Sequence, residues 1–261
     1  MSEYTSSLAQ GLIQGLTEYL PVSSSAHLMI WRQLTGSALT GLAFDLLLHL
    51  ATVAATMVYF AKDIVELLWG FFSSFRLPVG EKKEGWYFGW SVILGSIPTA
   101  VMGLLLKSKV EAAGQSPVFV GVALLLTGII LLSLSFMYPG TRKICVSIGL
   151  AVGFAQGLAV FPGISRSGTT LAVGILCGLS ADEAFRFSFL LSLPAIAGAA
   201  LLELRHYDGV LPAGWLAALG VAFVSGLAAL FVVRRLVTSG RWRYFALYCL
   251  AVGMGVLIFL R

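Results

Sequence analysis

Apolar residues run along this chain in blocks of about 20, the length a helix needs to cross the hydrocarbon of a bilayer. Six blocks reach that length, at roughly 42 to 60, 86 to 106, 116 to 138, 183 to 203, 213 to 236 and 242 to 260. Two regions break the pattern. Residues 5 to 19 and 25 to 34 are each too short to span and are divided at Pro21; residues 146 to 160 and 167 to 178 repeat the arrangement around Pro162. Proline lacks the N–H a helix interior needs, so each divided region predicts a helical hairpin that enters the membrane and returns to the same side. The predicted fold is an all-α integral membrane protein, a single membrane domain over residues 1–261. It is an inverted-topology repeat with halves of about 1–140 and 141–261, each a re-entrant hairpin followed by three transmembrane helices.

The polar positions inside the two broken regions match one another. Gln14-Gly-Leu and Gln156-Gly-Leu open them, and with Gln14 set on Gln156, Ser23 falls on Ser165, Ser24 on Arg166 and Ser25 on Ser167. The two prolines are offset by one residue. A duplication separated by half a chain explains this, and three spans per half place the second copy upside down, so that the hairpins enter from opposite faces.

Composition agrees: 58% of residues are hydrophobic and 11% charged, against about 25% charged in a soluble domain. The net charge of +5 does not point to nucleic acid, because the basic residues stand in short clusters between apolar blocks and read as topology determinants and lipid-headgroup contacts. Lys62, Arg76, Lys82, Lys83, Arg142, Lys143, Arg234, Arg235, Arg241 and Arg243 fall on one side; Arg32, Lys107, Lys109, Arg205 and Arg261 fall on the other. The bias places the first set in the cytoplasm and both termini and the mouth of the first hairpin outside. Residues 61 to 85, with Trp69, Phe71, Phe72 and Phe75 among Lys62, Asp63, Glu66 and Arg76, read either as an amphipathic segment on the inner surface or as a solvated loop. No charged leader with a small-residue cleavage site precedes the first motif, so the apolar segments are expected to do their own targeting. Cys145, Cys177 and Cys249 are odd in number and far apart, which argues against a disulfide framework and a thiolate metal site.

Glu18 is the most informative residue. A carboxylate inside an apolar helix costs at least about 2.5 kcal/mol on insertion scales, so it needs a partner or a function; the plainer reading is a brace for the backbone broken at Pro21. Gln14 shares its face one turn earlier. His27 is too far along for the same helix face, yet the fold-back at Pro21 brings it towards Glu18, as an acid, base or nucleophile pair requires. His49, one turn from Asp45, is read as structural. Pro162-Gly-Ile-Ser-Arg-Ser-Gly168 combines turn amides, the Ser165 and Ser167 hydroxyls and the Arg166 guanidinium where a helix begins, a composition suited to phosphate oxygens. Thr169 and Thr170 extend that polar face. A salt bridge from Arg166 to Glu18 is compatible with the same role. Asp182 and Glu183, after Leu179-Ser180, read as a capped helix start with Arg186 one turn on, and Pro98 and Pro194 as kinks in their spans.

Taken together, Gln-Gly-Leu-Thr-Glu-Tyr-Leu-Pro-Val-Ser-Ser-Ser-Ala-His and Pro-Gly-Ile-Ser-Arg-Ser-Gly resemble the undecaprenyl-pyrophosphate phosphatase family, the bacitracin-resistance proteins of bacteria. The likeness covers nearly the whole chain and includes Ser96-Ile-Pro-Thr-Ala100 and Phe187-Ser-Phe-Leu-Leu191 with Pro194. It implies a multi-pass protein of the bacterial cytoplasmic (inner) membrane, often a homodimer, with its active site towards the periplasm. It implies removal of the terminal phosphate of a prenyl pyrophosphate lipid, supported by Mg2+ or Ca2+, to regenerate the carrier lipid of cell-wall synthesis. Carried over residue by residue, it marks Glu18, Ser23, Ser24, His27, Ser165, Arg166, Ser167 and Thr170. The family's first motif commonly opens with a glutamate where this chain has Gln14, which shifts the acid, base or metal role onto Glu18 and leaves Gln14 a weak metal ligand. The expected assignment is His27 as nucleophile, or as general base for a serine or water, Glu18 orienting it or holding the metal, and Arg166 with Ser23, Ser24, Ser165, Ser167 and Thr170 holding phosphate oxygens. The rival classes are a transporter, which shares the inverted-repeat plan but needs no nucleophile, and, more weakly, an intramembrane Ser-His protease.

Overall fold

Proline 21 cannot continue the first helix and forces the residue before it out of the helical region. Helix α1, Glu3–Tyr19, accordingly ends at Leu20 in extended conformation, and α2, Ser24–Thr35, starts after the turn. In the computed structural model, which describes residues 2–36, 42–204 and 212–260, ten more α-helices follow: α3, Leu42–Tyr59; α4, Ala61–Ser74; α5, Glu84–Leu105; α6, Lys107–Gly114; α7, Pro117–Leu134; α8, Val146–Leu158; α9, Arg166–Leu176; α10, Ala181–Leu204; α11, Ala213–Thr238; and α12, Trp242–Phe259. Arg205 and Arg261, counted above for the charge bias, lie outside the described residues.

Five of the described helices, α5, α7, α10, α11 and α12, are long and apolar enough to cross a bilayer, and a sixth span is reached if α3 and α4 are taken as one broken element bent by 74°. The protein is a multi-pass, all-helical membrane protein. Helices α8 and α9 have 13 and 11 residues, about 20 Å and 16 Å at 1.5 Å per residue, and neither can span alone. Residues 61 to 74, open at the level of sequence between an amphipathic segment and a loop, form helix α4, with Trp69 and Phe72 exposed and Phe71 packed on Phe75 and Trp86. Pro98 and Pro194 lie within continuous helices.

Small residues set the helix contacts, as expected where no hydrophobic force drives helices together in lipid. Helix α1 lies along α11, with Gly11 and Gly15 against the backbones of Ala218 and Ala222; α8 lies along α5, and α7 along α12. A Cβ on Gly153 would stand 1.9 Å from the Gly95 carbonyl oxygen. The core between the hairpins is aromatic: Tyr19, Phe185, Phe187 and Phe189 are fully buried, with Tyr19 edge-on to Phe189 at 5.5 Å. The start of α10 is capped by Ser180, whose hydroxyl accepts the Glu183 amide. Arg186, however, does not pair with Asp182 one turn back. It forms ion pairs with Asp63 and Glu84 on α4 and α5 and with Glu183 on its own helix, while Asp182 bonds Arg234 on α11.

Gly153→Ala is expected to lower the thermal midpoint of the detergent-purified protein, by the equivalent of about 1–3 kcal/mol for overpacking. Gly255→Ala, whose new Cβ would meet no atom of a neighbouring element within 4 Å, should not lower the midpoint.

Candidate active site

Both hairpins end in backbone that no regular helix could supply. In the first, Ser23 takes φ 67° and ψ 95°, the one non-glycine residue with positive φ among the described residues. In the second, Gly163 takes φ 93° and presses so closely on α7 that a Cβ would meet the Val120 carbonyl oxygen and the Ala123 Cβ at 2.6 Å, so only glycine fits. The two turns meet. The Gly163 amide donates to the Ser23 hydroxyl at 3.1 Å, and the Ser167 hydroxyl donates to the Leu20 carbonyl at 3.2 Å.

Glu18 lies at this junction, in the last turn of α1 and 7% exposed. Its Oε1 accepts from the Arg166 guanidinium at the start of α9. Its Oε2 accepts from the Gln14 amide at 2.9 Å and from the Ser24 hydroxyl at 2.7 Å, and His49 Nε2 stands 3.4 Å from the same oxygen. A charge that would otherwise be prohibitive in an apolar interior is thus paired and hydrogen-bonded, as buried charges must be. Arg166 is not exhausted by this pair, since its second terminal nitrogen is buried without a protein partner. An arginine fork with one arm on a carboxylate and one arm free is poised for a second oxyanion.

Around Arg166 the loop amides are largely spent. Those of Gly163 and Ser165 go to Ser23 and Thr127, and that of Gly168 to the capping hydroxyl of Ser165. The free donors of the first turn of α9 are the amides of Arg166 and Ser167, at the positive end of the helix. Ser165 and Ser167 lie 3.3 Å apart, hydroxyl to hydroxyl. Thr170 turns away from the junction: its hydroxyl bonds the Arg166 and Ser167 carbonyls and Ser188 on α10, which fastens α9 to α10.

Glu18 and Gln14, the candidate metal ligands, do not make a cation cage. Every oxygen of Glu18 already receives protein donors, Gln14 contributes a single unpartnered amide oxygen, and no three His, Cys, Asp or Glu side chains converge among the described residues. A divalent ion prefers several hard oxygen ligands, and the donor set here does not fit one.

The sequence model of the family described as "Bacitracin resistance protein BacA" matches residues 7–255. A Desulforapulum autotrophicum protein named undecaprenyl-diphosphatase is 40% identical, the match covering 94% of each chain. A Methanosphaera stadtmanae protein of the same name is 37% identical over 99% of this chain and 98% of its own. Undecaprenyl-diphosphatase 1 of Shouchella clausii is 36% identical over 95% and 94%. The chain belongs to the BacA family.

Within this BacA-family chain, the structure joins Glu18, Ser24, Arg166 and Gln14 directly and places Ser23 and Ser165 in the turns beside them and Ser167 in the first turn of α9. It does not join His27 to Glu18. The His27 ring points the other way, with Nδ1 bonded to the Ser23 carbonyl at 2.8 Å and Nε2 to the Tyr248 hydroxyl of α12 at 2.7 Å. The histidine beside Glu18 is His49, read from sequence as structural; its Nδ1 is held by the Asp45 carbonyl at 2.8 Å. Asp45 itself pairs with Arg32 of α2. A signal for His49 was present: Asp45, His49, Thr52 and Thr56 lie at helical spacing on one face of α3, a polar stripe in an apolar segment. Tyr248 gave no such signal, being one aromatic among many.

Replacing Arg166 with Ala leaves the Glu18 carboxylate buried without its cation, a change that typically costs about 3–5 kcal/mol. The single variant should therefore unfold earlier on heating in detergent, and Arg166→Ala combined with Glu18→Gln should recover most of the loss. Equal midpoints for the wild type and Arg166→Ala would show that the pair contributes no stability.

Proposed function

We propose that this chain is an undecaprenyl-diphosphatase, a membrane phosphatase that hydrolyses undecaprenyl pyrophosphate to undecaprenyl phosphate and inorganic phosphate. Recycling the carrier lipid in this way would sustain peptidoglycan synthesis and confer bacitracin resistance. One observation carries the reading: a hydroxyl on a carboxylate, Ser24 on Glu18, faces an arginine with a guanidinium arm to spare. Phosphoryl transfer asks for little more than a positioned nucleophile and stabilisation of charge on the moving group, and this junction offers both.

The geometry favours Ser24 over His27 as nucleophile, because Ser24 already donates its proton to a base and both His27 nitrogens are engaged elsewhere. The Ser24 hydroxyl oxygen attacks the terminal phosphorus as its proton passes to Glu18 Oε2. The bond from phosphorus to the bridging oxygen breaks, and its electron pair leaves with undecaprenyl phosphate. Water then attacks the phosphoserine, the serine oxygen takes back the proton held by Glu18, and both hydrogens of the water leave on the phosphate. Arg166 and the first-turn amides of α9 match the charge on the equatorial oxygens, with Ser165, Ser167 and Ser23 shaping the cradle. Thr170 acts indirectly, by fixing α9. Mg2+ or Ca2+ is proposed as a counter-ion that accompanies the diphosphate, since the side chains of the site do not fit a resident ion.

The mouth of the first hairpin is assigned to the outer face of the bacterial inner membrane, supported by the basic clusters on the opposite loops. On the same reading the two halves form an inverted repeat: α1 lies on α11 as α8 lies on α5, and each hairpin begins with the matched Gln-Gly-Leu. Helix α4 lies along the cytoplasmic interface, and two chains associate as a homodimer.

Purified protein should release phosphate from a prenyl pyrophosphate, with Ser24→Ala and Glu18→Gln at background. Arg166→Lys, which keeps the charge but not the fork, should lose roughly a hundredfold in kcat. Phosphate release by Ser24→Ala at the wild-type rate would exclude the serine, and absence of release by the wild type would favour transport. Topology is tested separately by labelling single cysteines in intact cells: positions 2 and 260 are expected to react with an impermeant reagent and positions 76 to 85 to be protected.

A further inference from the structure

Helix α12 grips the turn that presents Ser24, and it does so through two adjacent residues. Cys249, fully buried, directs its thiol at the Pro21 carbonyl, 3.6 Å away. Tyr248 bonds His27 Nε2 at 2.7 Å and lies parallel to its ring, with centroids 5.6 Å apart and 4° between planes. A carbonyl can only accept, so the Nδ1 facing Ser23 carries the hydrogen. The Nε2 lone pair then accepts from the Tyr248 hydroxyl. The ring is thereby fixed in one tautomer and one orientation, as a strut between α12 and the Ser23 carbonyl.

Ser23 needs such a strut. A non-glycine residue held at positive φ costs about 1–3 kcal/mol and persists only where its surroundings over-determine it. Its carbonyl is held by His27, and its hydroxyl by the Gly163 amide of the other hairpin. Ser24 follows immediately, so the direction of its hydroxyl is set by the Ser23 backbone.

We infer that Tyr248 is a positioning residue for the reaction, acting through His27 on the Ser23 backbone to aim the Ser24 hydroxyl at Glu18 and the terminal phosphorus. His27 is then part of the support and not a reacting group. This rests on Ser24 as the nucleophile. It adds a residue of the last helix, distant in sequence from both motifs, to the determinants of turnover.

The test is a double-mutant cycle with kcat and KM for a soluble short-chain prenyl pyrophosphate. Tyr248→Phe keeps the stacked ring and removes the hydroxyl. His27→Asn keeps an amide N–H where Nδ1 stood and removes the group that Tyr248 holds. Each should lower kcat roughly fivefold to tenfold, the worth of one hydrogen bond, with KM unchanged and the protein still folded, its midpoint lowered only slightly. The double variant should be no slower than either single one, since the two changes cut the same strut. Phosphoserine trapped by acid quench should form more slowly in each. Wild-type kcat in Tyr248→Phe overturns the inference, as does multiplication of the two losses in the double variant. Background activity in His27→Asn beside mild loss in Tyr248→Phe also overturns it and returns His27 to the reaction. Should Tyr248→Phe not yield folded protein, His27→Asn alone decides on the same criterion. Failure of the underlying reading looks different, as an active Ser24→Ala or a wild type with no phosphoserine to trap.

Discussion

A carboxylate among apolar helices is tolerated only with partners, and here the partners of Glu18 come from four elements. Gln14 is on its own helix, Ser24 follows the first turn, His49 is on α3 and Arg166 begins α9 in the other half of the chain. The ion pair with Arg166 therefore does more than neutralise a charge. It fixes the distance between the tips of two hairpins that are otherwise joined through turn backbone and serine hydroxyls. The core around Tyr19, Phe185 and Phe189 packs against the result. The interaction that makes the buried charge tolerable is also the one that brings a carboxylate, a hydroxyl and a guanidinium together.

Much of this was legible before any coordinates. The broken apolar blocks gave the pairs of short helices α1–α2 and α8–α9, interrupted near Pro21 and Pro162 where the sequence breaks. Glu18 and Arg166 stood out because charge is rare in such surroundings. What did not show was which histidine meets the carboxylate. Fold-back at Pro21 was expected to carry His27 to Glu18, but Ser23 adopts positive φ and rotates the start of α2, so that His27 turns towards α12. The place beside Glu18 goes to His49, from a helix whose approach depends on packing across the bundle. Where the Thr170 hydroxyl goes was not legible either: a threonine in a helix readily bonds the carbonyl one turn back, and here it also meets Ser188. Helix α4 was only half legible, since aromatics mixed with charges suit an interfacial helix and a loop alike.

The two hairpin tips are each secured by a long helix. On α7, Thr127 donates to the Gly163 carbonyl and accepts the Ser165 amide. On α12, Tyr248 and Cys249 hold the Ser23 turn, through His27, and the Pro21 carbonyl. These two helices also pack on each other through Gly121, Gly128 and Gly253. A turn buried between membrane helices has backbone groups that lipid cannot satisfy, and α7 and α12 supply partners for them. Rigid support behind a reacting group is what converts a constellation of residues into an oriented site.

On the repeat reading, the positions that differ between the halves are as instructive as those that match. Ser24 of the first motif falls on Arg166 of the second, and Glu18 on an apolar residue, Val160. A symmetric pair of hairpins would present either two carboxylates or two guanidinium groups to one another, and like charges at a buried junction repel. Divergence at two positions removes that conflict and creates its opposite, a carboxylate with a hydroxyl on one tip and a cation at a helix N-terminus on the other. Each half then lacks what the other provides: neither tip alone can both accept the proton of a nucleophile and hold the charge of a phosphoryl group. If the second half is inverted, as that reading has it, the tips would approach from opposite faces of the membrane, the arrangement in which two short, unspanning segments can meet within it and share one buried charge.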